Sequence, residues 1–100
     1  MNQKRLEQIR RENLKKVDLM KLSHKFNCIR INPENTIEHE WNKFTTAYTL
    51  IKQGHKIATE CVSANGKRRY DIIDFDTGDV WEIETGKSYE KNDGSIRVKI

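Results

Sequence analysis

The chain predicts an α/β domain, a small β-sheet covered by helices and preceded by a basic N-terminal helix. Three stretches carry that expectation. Residues 68–84 read as two short strands joined by a tight turn. Residues 35–53 have the caps and apolar spacing of a helix. Residues 2–22 combine helical spacing with an excess of Lys and Arg. One hundred residues hold one compact domain with a modest core, divided into a basic helix and connector over residues 1–35 and the core over residues 36–100.

In the first helix Leu6, Ile9, Val17 and Met20 fall near one stripe, which Asn13 interrupts. That stripe can dock on the body, pair with a second copy, or lie against a phosphate backbone. Residues 26–31 read as a short strand or an extended connector. Residues 32–35 are a loop, since Pro33 removes a donor and disfavours helical geometry at Asn32. The second helix is capped by Asn35 or Thr36, has Glu38 and Glu40 at the positive end of its dipole, and ends before Gly54. Ile37, Trp41, Phe44, Ala47, Tyr48 and Ile51 gather on one side, the side expected to pack on the sheet. Glu40 falls within that arc, whereas Glu38 points away from it.

Residues 55–62 form the next strand, with Ile57, Thr59 and Cys61 alternating against Ala58, Glu60 and Val62. Asn65-Gly66 closes a hairpin. Lys67-Arg68-Arg69 then forms a basic cluster, either a grip for a phosphate or an exposed hairpin end. Beyond it, Asp76-Thr77-Gly78-Asp79 supplies a second turn. Strict alternation sets Asp71 with Ile73 and Phe75, Tyr70 with Ile72 and Asp74, and Val80 with Glu82 and Glu84. Asp71 therefore stands among apolar neighbours. A carboxylate there needs a metal, a cation or a hydrogen-bond network, because burying one alone costs several kcal/mol. Thr85-Gly86 ends that strand, residues 87–95 are polar and turn-rich, and residues 96–100 read as a last strand with Arg97 and Lys99 on one face.

The net charge of +4 is uneven. Nine Lys or Arg stand against four acids in residues 1–35, a net of +5 that leaves −1 for the rest. A basic arm on a body with clustered acids fits a polyanion held by the arm and metal cations held by the acids. Cys28 and Cys61 have no metal-ligand spacing, and two reduced thiols are expected, with a single disulfide as the alternative. His24, His39 and His55 show no zinc spacing and are assigned to surface or capping roles. Trp41, Tyr48 and Trp81 are assigned to the core, with base stacking as the alternative. No apolar run reaches signal or transmembrane length, so an intracellular, cytoplasmic protein without a membrane partner is expected.

Glu40 on the helix, Asp71 on the strand after the hairpin, and Glu82-Ile83-Glu84 on the next strand together resemble the PD-(D/E)xK nuclease superfamily. This is the restriction-endonuclease-like group that includes archaeal Holliday-junction resolvases. Residues 38–84, with His39, Lys43, Gly54-His55 and Glu60 leading to Asp71, look like its small archaeal or viral members, encoded by a virus or plasmid in the second case. The resemblance implies a restriction-endonuclease-like core, a mixed sheet packed by helices, and a Mg²⁺- or Mn²⁺-dependent DNA endonuclease, in one form structure-selective. Asp71, Glu82 and Glu40 would then bind metal. Glu84 stands where the family carries lysine and would serve as base or further ligand, completing a catalytic set of Asp71, Glu82, Glu84 and Glu40. Lys43, Lys56 or Lys87 can supply the missing ammonium from elsewhere. Arg10, Arg11, Lys15, Lys43, Lys67, Arg68, Arg69 and Lys87 would contact nucleic acid. Cutting two strands calls for two sites, hence a homodimer through a sheet edge or the stripe of Leu6, Ile9 and Val17. Two alternatives stand beside this: a nuclease-like module that binds nucleic acid or protein and cuts nothing, and a small helix-on-sheet protein whose strand acids are solvated.

Overall fold

The structure, a computed structural model, describes residues 2–18, 26–84 and 94–99. It is a small α+β fold in which two helices pack on a four-stranded mixed sheet. The helices are α1 (Gln3–Leu14) and α2 (Ile37–Lys52), and the strands are β1 (Ile57–Val62), β2 (Arg69–Asp74), β3 (Val80–Glu84) and β4 (Ile96–Lys99). The strands lie in the order β1-β2-β3-β4, antiparallel in the first two pairs and parallel between β3 and β4. Both hairpins form where the turn residues predict them, with Gly66 and Gly78 at positive φ.

Helix α1 ends well short of residue 22. Lys15 caps it, and the chain then turns so that Val17 bridges to Ser63 at the end of β1. Val17 thereby enters a core with Ala58, Cys61, Ile73 and Phe75, against which Leu14, Tyr70 and Val80 pack. Burying that residue in the sheet outweighs extending a thin amphipathic helix into solvent. Three polar links fix the docked helix. Arg10 forks onto Asp76 at 2.7 and 3.1 Å, Asn13 donates to the Phe75 carbonyl at 2.7 Å, and Lys16 donates to the Gly78 carbonyl at 2.9 Å.

Helix α2 starts at the predicted cap, with Thr36 Oγ1 accepting from the His39 amide, and ends at Gln53 before Gly54 at φ 88°. Its packing face is not the predicted one. Lys43, Ala47 and Leu50 are buried, whereas Ile37, Trp41, Phe44 and Tyr48 are exposed. The helix is rotated away from its most apolar side because Lys43 finds three oxygen acceptors in the interior. Ala47 and Leu50 join Ile57 and Ile72 in the second core, with Ile29, Ile51 and Trp81 at its margin. Ile57 and Ala58, like Ile72 and Ile73, are successive residues in different cores, so the sheet separates the two. Each fully buried isoleucine contributes roughly 1.5–3 kcal/mol.

Residues 26–31 are an extended connector and not a strand. They cover the outer edge of β1. Asn27 donates its amide to the Ile57 carbonyl and accepts the Ile57 amide on its side chain, and the Arg30 amide donates to Thr59 Oγ1. Cys28 is exposed, Cys61 is buried, and both are free. No described helix is long and apolar enough to cross a membrane.

Candidate functional site

The predicted alternation breaks at one step, and that step builds the site. Glu60 adopts φ 53°, a left-handed conformation that a residue with a Cβ visits at a cost of order 1–3 kcal/mol. The β1–β2 register is constant on either side but skips the Glu60 and Asp71 pair. Strict alternation would put Cys61 with Thr59 and Tyr70 with Ile72. Instead Cys61 and Tyr70 pack with Ala58 and Ile73. The expectation that Asp71 shares a face with Ile73 and Phe75 is corrected accordingly. Side-chain positions on the two strands shift together at the opposed Glu60 and Asp71, releasing both carboxylates from the apolar pattern.

Glu60 reaches Lys43 on α2, Oε1 to Nζ at 2.9 Å. Lys43 has no exposed surface. Its ammonium also donates to the Arg30 carbonyl at 2.7 Å and to Glu40 Oε2. Three acceptors for three N–H groups satisfy a charge that would otherwise be untenable there. Glu40 accepts further from Asn35 Nδ2 at 2.8 Å and the Asn32 amide at 3.3 Å. Burial pushes the Glu40 carboxyl up, but the Lys43, Asn35 and Asn32 hydrogen bonds outweigh it and hold the group below its ordinary range.

Asp71 stands where β2 leaves β3. Their backbone pairing covers Ile72 with Trp81 and Ile73 with Val80, and the Asp71 side chain then takes the next amide, Ile83 N to Oδ2 at 2.9 Å. The Asp71 carboxylate lies close enough to Glu82 for its charge to act there. Burial and that neighbouring carboxylate raise the Glu82 pKa to about 7, against the opposing charges of Arg68 and Arg97. His39 joins the two acid groups, with Nε2 3.4 Å from Asp71 Oδ2 and Nδ1 3.4 Å from Glu40 Oε1. The latter approach is not aligned as a hydrogen bond, and Nδ1 is a buried atom without a partner among the described residues. Polar side chains therefore line up from Glu60 through Lys43 and Glu40 past His39 to Asp71, Glu82 and Arg68.

Of the predicted acids, the structure sets Asp71 and Glu82 near each other, with His39 3.4 Å from both Asp71 and Glu40. Glu84 pairs with Arg97, Oε1 to Nη1 at 3.1 Å, and its other oxygen is buried without a hydrogen-bond partner among the described residues. Among the described residues no group of three or more His, Cys, Asp and Glu side chains could hold a metal ion, so a cation would be met by the Asp71 and Glu82 carboxylates alone. Of the predicted phosphate contacts, Arg11, Lys67 and Arg69 are exposed. Lys15 is also exposed and pairs with Glu12 at 3.2 Å. Arg68 stacks over Tyr70 and reaches Glu82 at 3.3 Å and Ser95 at 3.0 Å. Arg10 is taken by Asp76 and Lys43 lies in the interior, so neither presents a cation to solvent. Lys87 and His24 lie outside the described residues. A polar cleft of about 180 Å³ opens beside Glu60 between Arg30, Asn32, Pro33 and Arg69.

Sequence reasoning passed over His39 and Glu60. The argument that singled out Asp71, an acid amid strand-forming residues, applies equally to Glu60 in Ile57–Val62. For His39, assigned to the surface or a cap, the available signal was its place beside Glu40 in the first turn of α2. Comparison with protein-family models, curated proteins and solved structures gives no match.

Proposed function

We propose that the chain is a metal-dependent DNA endonuclease on a restriction-endonuclease-like core. The observation that carries this reading is the proximity of Asp71 and Glu82 where β2 and β3 part, with His39 3.4 Å from both Asp71 and Glu40. The element order supports it: a helix bearing Glu40, two antiparallel strands bearing Asp71 and Glu82, and a mixed sheet. The donor set also fits. Asp71 and Glu82 together offer the one or two carboxylates that Mg²⁺ uses while it keeps waters and phosphate oxygens for its other positions.

When bound, Mg²⁺ or Mn²⁺ supplies charge neutralisation at the phosphate and an acidified water. Asp71 and Glu82 would hold it. Lys43 and Asn35 immobilise Glu40 beside His39, whose Nε2 lies 3.4 Å from Asp71. Glu84 is engaged with Arg97 and its second oxygen is buried, so the proton of the attacking water is not assigned to it. Arg68, Arg69 and Lys67 line the approach from the hairpin end, and the Arg30 and Arg69 cleft is large enough for one phosphate.

A second reading, a module that binds nucleic acid without cutting it, is favoured by the pairing of Glu84 with Arg97 where a catalytic lysine would stand. One experiment separates the two. Linear duplex, single-stranded and four-way-junction DNA are incubated with the protein and Mg²⁺ or Mn²⁺, beside Asp71→Ala and Glu82→Ala. The nuclease reading expects cleavage that falls roughly a hundredfold or more in either variant. Salt-dependent binding without cleavage gives the second reading, and cleavage unchanged in both variants removes the site from consideration.

A further inference from the structure

We infer that α2 is a dimer interface, formed by two copies of the helix packed antiparallel across a two-fold axis near Phe44. The inference is independent of the nuclease reading.

The exposed side of α2 is a row of large apolar side chains: Ile37 at 79% exposure, Trp41 at 64%, Phe44 at 42% and Tyr48 at 50%. Their spacing of three and four residues makes one continuous stripe. The rings stack along it, Trp41 on Phe44 and Phe44 on Tyr48, each pair with centroids 5.9 Å apart. Ile31, 72% exposed, extends the patch from the connector. Ile29, Ile31, Ile37, Glu40, Trp41 and Phe44 enclose a groove of about 460 Å³ at its N-terminal end. Such a stripe left in water is unusual for a domain whose core is small.

Area and charge indicate a second copy as the occupant. Three aromatic and two isoleucine side chains exposed to this degree present on the order of 500–700 Å² per chain, so two copies would bury about 1,000–1,400 Å², enough for a specific contact. An isologous contact requires the patch to complement itself. It does so in an antiparallel pairing. The groove at the N-terminal half meets Tyr48 from the C-terminal half of the other helix. Lys52, about 50° around the helix from the centre of the stripe, and Glu38, about 90° from it on the same flank, stand ~21 Å apart along the axis and meet each other's counterparts. Both are exposed and neither forms an ion pair within the chain among the described residues. Among the described residues, Glu40 is the one charged residue lining the groove, and an acid there opposes a phosphate backbone as the occupant.

The test is sedimentation equilibrium of the full chain over a micromolar to millimolar range, with circular dichroism to verify folding of each variant. Twice the 11.8 kDa chain mass is expected. Trp41→Lys should weaken association at least a hundredfold, since a central aromatic anchor is lost from both copies. Glu38→Lys and Lys52→Glu should each weaken it about tenfold, and the double variant should restore it. Restoration is the outcome that a merely local role for these charges would not give. A monomer throughout, or a dimer indifferent to Trp41→Lys, overturns the inference. So does a wild-type monomer whose tryptophan fluorescence is quenched by single-stranded oligonucleotide, because the stripe would then be a stacking platform.

Discussion

Lys43 shows most clearly how one residue decides its surroundings. A lysine in the middle of an apolar helix would ordinarily turn to water, and its burial here depends on Glu40, Glu60 and the Arg30 carbonyl arriving together. Removing the ammonium leaves two buried carboxylates facing each other, and breaking such a pair typically costs about 3–5 kcal/mol. Lys43→Ala is therefore expected to lower the free energy of unfolding measured in urea by that margin, with a Tm loss of at least about ten degrees for a domain of this size. Lys43→Met combined with Glu40→Gln and Glu60→Gln should recover much of the loss, because the orphaned charges go with it. A single Lys43→Ala variant as stable as the wild type would show that the triad is not a buried ionic unit.

At the level of elements, what was legible in the chain was local. Thr36 and Gly54 bound α2 as their chemistry predicts, and Asn65-Gly66 and Asp76–Asp79 close both hairpins. What was not legible was which side of α2 turns inward, since apolar spacing selected Trp41, Phe44 and Tyr48 while two oxygen atoms from distant segments, with Glu40 one turn away, selected Lys43. The shifted alternation at Glu60 was hidden for the same reason. A left-handed glutamate has no signature in its neighbours, and its cause, the pull of Lys43, lies seventeen positions away. Gly78 links an element to its neighbour in a way that can be measured. It holds φ 80° in the β2–β3 turn, and a Cβ there would meet Asn13 Oδ1 at 2.8 Å and Lys16 Nζ at 2.9 Å. Gly78→Ala should cost about 1–3 kcal/mol, through backbone strain and through displacement of α1 from the turn. Gly66→Ala, with open space around its Cβ, carries the strain alone and should cost less. Equal losses for the two would mean that α1 does not press on the turn.

For the molecule as a whole, the same polar line that defines the site shapes how stability depends on pH. Glu82 has its pKa raised to about 7, so between its ordinary value near 4.5 and 7 the folded chain holds a proton that the unfolded chain has released. Stability must then fall as pH rises through that window and level off above it, by on the order of 1–2 kcal/mol after solvent screening. Glu40 and Asp76 act in the opposite sense. In each, hydrogen bonds from a cation and a backbone amide overcome the burial that would raise the pKa, and the stability they contribute is lost as pH falls through their lowered values. The maximum should accordingly lie near pH 5, below neutrality. Urea unfolding from pH 3 to 8 is expected to trace a dome with a descending neutral limb. Glu82→Gln should flatten that limb and leave the acid limb in place. Millimolar Mg²⁺ competes with the Glu82 proton, so it should stabilise the wild type more at pH 7.5 than at pH 5 and leave Glu82→Gln nearly unchanged. Stability that climbs steadily to pH 7 in the wild type would mean that Asp71 and Glu82 are not the close pair described. A descending limb that ignores Mg²⁺ would keep the pair and detach it from metal binding, separating the fold's electrostatics from the chemistry proposed for it.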